Sequence, residues 1–98
     1  MYATQVPLRT MKASFKAFEI CRAMVETGNP NSVTDAGVGA LAARAAVIGA
    51  GMNVKINASS LTDRATAEKL IAEANELVAK ANVEEAEITA MVEEKIKS

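Results

Sequence analysis

The sequence predicts an all-α fold of three helices, and three observations carry that expectation. Half of the 98 residues are hydrophobic, yet only Tyr2, Phe15 and Phe18 are aromatic, so the apolar content is largely Ala, Val, Ile and Leu, which suits closely packed helices. Apolar residues recur at three-and-four spacing, and no stretch shows the sustained alternation of a strand. Two short clusters of turn-forming residues divide the chain into three segments. The expected helices run over about 7–27, 33–57 and 62–97 in a single helical domain spanning 1–98.

The first helix is expected to start at Pro7, whose fixed φ suits a first helical position. Its apolar stripe is Leu8, Met11, Phe15, Phe18 and Val25, widened by Ala17, Ile20, Cys21 and Met24. Gly28 is read as its terminator, in the left-handed conformation that helix ends favour. Asn29-Pro30-Asn31-Ser32 then forms the turn, with Ser32 or Thr34 as a cap and Asp35 in the first turn, where the helix dipole favours an anion.

The second helix is apolar nearly all round. Ala36 to Met52 contains one charged residue, Arg44. It is shorter than the roughly 20 residues of a membrane span and rich in Gly and Ala, so it reads as a buried helix. An arginine there requires a carboxylate from the last helix or from another chain. Gly37, Gly39, Gly49 and Gly51 each cost roughly 1 kcal/mol against Ala, which points to close approach by a neighbouring helix. Ser60 and Asp63 stand in a capping-box-like spacing before the third helix. There Ile71, Ala74, Val78, Ala81, Ile88 and Val92 form the apolar row, broken at Glu85, with Glu and Lys dense on the back. Two amphipathic helices cover only part of such a central helix. The bundle is therefore expected to be completed by oligomerisation or by a partner chain.

Eleven Lys plus Arg balance twelve Asp plus Glu, which gives no electrostatic draw toward nucleic acid or an anionic membrane. The sequence has no histidine and a single cysteine, so no metal cluster and no internal disulfide is expected. Cys21 reads as a core residue. The N-terminal segment lacks a signal-peptide pattern, and a reducing, cytoplasmic location is the expectation.

The stretch Gly28-Asn29-Pro30-Asn31-Ser32-Val33-Thr34-Asp35-Ala36-Gly37-Val38-Gly39, continued by Gly49-Ala50 and Asn53-Val54-Lys55-Ile56-Asn57, resembles a known family. It is similar to the cyclodeaminase domain of formimidoyltransferase-cyclodeaminase and to the bacterial methenyltetrahydrofolate cyclohydrolases. Val6-Pro7-Leu8 fits the same pattern. The resemblance covers about residues 4–63 and becomes compositional beyond. It implies a helical, dimeric protein of folate one-carbon metabolism. Members form 5,10-methenyltetrahydrofolate from the 5-formimino compound with loss of ammonia, or hydrolyse the methenyl form to 10-formyltetrahydrofolate. The family domain also has an upstream half carrying a Pro-Gly-Gly-Gly-Ser-type segment. No such segment occurs here, so the chain matches the C-terminal half alone.

With that resemblance, Asp35 is the expected catalytic carboxylate, steadying the cationic methenyl carbon or taking a proton from attacking water. Asn53 and Asn57 are expected to bind the pterin edge or the folate amide, and Lys55 and Arg64 the glutamate tail. The substrate is then a tetrahydrofolate derivative, used without a metal. The alternative is a non-catalytic helical assembly lacking the Gly-rich half. Asp35 and Asn53 are separated by five helical turns, about 27 Å. They can share a site only if an antiparallel dimer brings one chain's Asp35 near the other's Asn53.

Overall fold

A computed structural model describes residues 2–97 and contains three helices: α1 (Tyr2–Thr27), α2 (Pro30–Ser59) and α3 (Arg64–Lys97). The short connections make α2 antiparallel to both neighbours. Ion pairs Lys12–Glu73 at 3.1 Å and Arg22–Glu84 at 2.7 Å climb α1 and α3 in the same direction. The result is a rod of 54 × 18 × 14 Å.

The ends of α1 and α3 fall where the sequence puts them, whereas the start of each helix differs for a local reason. α1 begins at Tyr2 and carries Pro7 inside it, at the loss of the one ladder bond that a proline nitrogen cannot donate. α2 is capped by neither Ser32 nor Thr34. Asn29, extended at φ −77° and ψ 173°, accepts a hydrogen bond from the Ser32 backbone N–H at 3.0 Å, and Pro30 opens the helix. Asp35 consequently lies in the second turn. α3 starts at Arg64, and its cap is Asp63, with no reciprocal bond from Ser60: Asp63 Oδ1 accepts from the Thr66 N–H at 3.2 Å and Oδ2 from its hydroxyl at 2.7 Å.

Gly28 is not left-handed, and no glycine among the described residues has a positive φ. Its reason is steric. Its N–H donates to the Met24 carbonyl at 2.7 Å as the chain folds back. A Cβ at this position would collide with that carbonyl oxygen and lie 2.7 Å from Ser32 Cβ. Gly28→Ala should therefore destabilise the chain by on the order of 1–3 kcal/mol, the usual range for overpacking. Thermal unfolding followed by circular dichroism checks this, and an unchanged melting temperature would remove the steric account.

The bonds from Thr66 hold the Asp63 carboxyl below its ordinary range. The folded chain therefore takes up this proton less readily than the unfolded one. The associated stability is present above the ordinary aspartate range and is lost as pH falls through the lower folded value. Asp63→Asn keeps an acceptor at the cap. It should flatten the fall in melting temperature between about pH 5 and pH 3 relative to the unsubstituted chain. Superimposable pH curves would contradict the assignment.

The core is built on α2. Val33, Ala36, Ala40, Ala43, Val47, Ala50, Val54 and Ala58 are buried along one face. All of these but Ala58 join Leu8, Met11, Phe18, Cys21 and Val25 of α1 and Ala74, Ala81, Ile88 and Val92 of α3 in one cluster. Ala67, Ala74, Ala81 and Ile88 recur every seven residues, the period that keeps one seam against a neighbour in a left-handed supercoil. Gly37 faces Val92, and Gly51 faces Met11 and Val78, with 3.2–3.3 Å to the nearest atom from an added Cβ, so these glycines serve close helix packing. Ile20, expected within the α1 stripe, is instead exposed. Asn31–Ser59 is long and apolar enough to cross a membrane by length and composition. Here it is the central helix, with both neighbours packed on one side of it.

Candidate functional site

Asp35 stands exposed on the second turn of α2, and its side chain makes no hydrogen bond or ion pair with other described residues. Asn53 and Lys55 are exposed near the other end of the same helix, and Asn57 is half-buried. The Asn57 carbonyl accepts the Ser60 N–H at 3.3 Å and its hydroxyl at 2.8 Å, closing the helix. Arg64 helps to close the same helix end, because its guanidinium donates to the carbonyls of Ser59 at 3.3 Å and Leu61 at 3.0 Å. A cation there also complements the negative end of the α2 dipole.

The helix sets the relation between these residues. At about 100° per residue, the 18 positions from Asp35 to Asn53 make five whole turns, so the two share one edge of α2 about 27 Å apart. Asn57 lies on nearly the same side as Asn53, whereas Lys55 is turned to the far side. A single chain thus brings Asn53 and Asn57 together and leaves Asp35 remote from both.

The grooves between α1 and α3 hold none of these five residues. One of about 340 Å³ is lined by Phe15, Phe18, Arg22, Glu26 and Glu84, among others. Arg22 is the polar residue that the sequence did not single out. It donates to Glu84 Oε2 at 2.7 Å and to Glu87 Oε1 at 3.0 Å, and the Glu84 bond strengthens its hold on its proton. This cluster ties α1 to α3. Spacing gives no hint of it, because the partners are more than 60 residues away. Arg44 finds the partners expected from the last helix: Nε donates to Asn82 Oδ1 at 2.7 Å, and Glu85 Oε1 lies 3.9 Å from the guanidinium. Glu85 breaks the apolar row of α3 at this contact. Cys21 is a buried free thiol whose pKa is pushed up by burial, as befits a core residue. No group of three or more His, Cys, Asp or Glu among the described residues is arranged to hold a metal.

The family model described as formiminotransferase-cyclodeaminase matches residues 1–76, a span that contains Asp35, Asn53, Lys55, Asn57 and Arg64. A protein of Methylorubrum extorquens named methenyltetrahydrofolate cyclohydrolase is 36% identical over 94 residues. The alignment takes in 96% of this chain and 45% of the relative, so the chain spans about half the length of the curated protein it matches. With the family model matched over most of its length, the chain belongs to the formiminotransferase-cyclodeaminase family.

Proposed function

We propose that this chain supplies one half of an enzyme of folate one-carbon metabolism, in which 5,10-methenyltetrahydrofolate is hydrolysed to 10-formyltetrahydrofolate. The observation that carries this reading is the 36% identity to a methenyltetrahydrofolate cyclohydrolase across 96% of the chain. The methenyl carbon of the substrate is cationic and bonded to two nitrogens. Water adds to it, one carbon–nitrogen bond breaks, and the ring nitrogen released takes a proton. Asp35 is the group for this step. A carboxylate beside the carbon opposes its positive charge and accepts the proton of the attacking water. Asn53 and Asn57 offer amide donors and acceptors to the pterin edge. Lys55 attracts the glutamate carboxylates, and Arg64 can do so with the N–H groups left over from its carbonyl contacts. The reaction runs in the cytoplasm without a metal. The family's second reaction, cyclisation of the 5-formimino compound with loss of ammonia, makes the same demand on Asp35.

The chain works within a larger assembly, formed with further copies of itself or with a chain that supplies the other half of the family domain. A second reading is favoured by the 27 Å between Asp35 and Asn53, estimated from the helical rise as about 27 Å: taken singly, the chain is a helical scaffold that binds and does not react. The two readings separate in one assay. Purified protein of known oligomeric state is added to 5,10-methenyltetrahydrofolate, and loss of the methenyl absorbance is followed against buffer. Saturable decay above the buffer rate is the expected result. A folded oligomer with no excess decay would leave the scaffold.

A further inference from the structure

Arg22 reaches from α1 to three residues of α3. Its Nη2 donates to Glu84 at 2.7 Å and to Glu87 at 3.0 Å, while Nη1 points at the Met91 sulfur from 3.8 Å. Glu84, Glu87 and Met91 follow three-and-four spacing, which sets them along one face of α3. The two carboxylates are strong acceptors, and the thioether is a weak one. A guanidinium that is a cation at any ordinary pH thus directs one nitrogen at one of the poorest acceptors a protein offers.

Met91 is also open to small solutes. It is half-buried and lines an open groove of about 490 Å³ with Val25, Glu26, Glu94 and Lys95. Val25 belongs to the buried core, so the sulfur stands where core meets water. Other methionines are placed differently. Met11 is fully buried, and Met52 is 64% exposed. Oxidation turns a methionine into a polar sulfoxide, which disrupts a core edge unless the new oxygen finds a donor. Here the donor is in place. One added bond brings a sulfoxide oxygen from the sulfur into the ordinary hydrogen-bond range of Arg22 Nη1. Nη2 keeps both carboxylates, because the two nitrogens are separate donors.

We propose that Met91 is a methionine-oxidation site, at which Arg22 holds the sulfoxide and keeps α1 fastened to α3. A hydroperoxide is the oxidant. The sulfur lone pair attacks one peroxide oxygen, and the sulfur–oxygen bond forms as the oxygen–oxygen bond breaks. The other oxygen departs and takes up the proton of the first, giving water or an alcohol. Sulfur loses two electrons and the peroxide gains them. The sulfoxide oxygen then accepts from Nη1, a stronger bond than the thioether made. This assignment is independent of the folate reading, since neither Arg22 nor Met91 belongs to the candidate site.

The test treats the folded chain with hydrogen peroxide and maps the sulfoxides by peptide mass spectrometry. Met52 and Met91 should convert while Met11 stays reduced, with Met91 at least about tenfold faster than Met11. Oxidised and reduced chains are then compared by thermal melting. The same pair in Met91→Leu subtracts oxidation at other methionines. The Met91 sulfoxide should move the melting temperature of the unsubstituted chain by less than about 2 °C. In Arg22→Leu, where no donor awaits the oxygen, it should lower the melting temperature by about 5 °C or more. Proton NMR of the unsubstituted chain gives a reading that needs no variant: the Arg22 guanidinium protons should exchange with water more slowly after oxidation. Met91 as resistant as Met11, equal losses with and without Arg22, or unchanged Arg22 exchange would each overturn the proposal.

Discussion

Asp35→Asn should lower the rate of methenyl decay by about 10²–10⁴-fold, the range that a positioned proton-transfer group contributes, while leaving the melting temperature nearly unchanged. The structure separates the two effects. Asp35 is exposed and has no partner among the described residues, so the amide disrupts no contact. It lies in the second turn of α2, beyond most of the reach of the dipole, and surface changes of this kind stay within about 0.5 kcal/mol. Asparagine keeps the size and polarity of the side chain and removes only the negative charge and the basicity. A full rate in Asp35→Asn would reduce Asp35 to an ordinary surface acid and withdraw its catalytic role. Decay rates and thermal melts on the same preparation decide it.

Phe18→Ala should cost about 3–5 kcal/mol. Phe18 is only 1% exposed and is among the largest fully buried side chains. Its ring lies 5.4 Å from that of Phe15, tilted by 59°, so truncation also removes an aromatic pair worth about 0.5–1.5 kcal/mol beyond area. The surrounding core is largely alanine and valine on helices already in close contact, and such small side chains cannot swing in to fill the space. Against a total stability of roughly 5–15 kcal/mol for a folded domain, the loss should lower the melting temperature by more than about 10 °C. Val83→Ala on the exposed back of α3 is the control and should change stability by less than about 0.5 kcal/mol. Equal melting temperatures for the two variants would show that the α1–α2–α3 core is not where stability resides.

What the sequence conveyed, it conveyed through periodicity. The three helices, the Phe18–Val25 stripe and the row through Ala74, Ala81, Ile88 and Val92 all follow from spacing, because burial of a helix face imposes that spacing directly. The ends were less legible. Asn29 competes for the cap with Ser32 and Thr34, all good cap residues, and only the backbone path selects Asn29. Gly28 looks like a left-handed terminator, yet its reason is the nearness of Met24 and Ser32, which appears only once the chain has turned. Arg44 announced a need for a carboxylate from the last helix or from another chain, and on the last helix it meets Glu85 and, more closely, the Asn82 amide. Arg22 announced nothing, since its partners come from a distant part of the chain. The candidate site shows the same division. Asp35, Asn53 and Asn57 were found through the motif, and their five-turn separation could be counted from the numbering. The meeting of Arg22 with Met91, drawn from distant parts of the chain, required the fold.

The measurement that bears most directly on the proposed function follows the absorbance of 5,10-methenyltetrahydrofolate with the purified chain and with Asp35→Asn, at equal concentration and known oligomeric state. Saturable decay above the buffer rate that is lost in Asp35→Asn, by about 10²–10⁴-fold, is the predicted result. A folded protein with no excess decay would contradict the account.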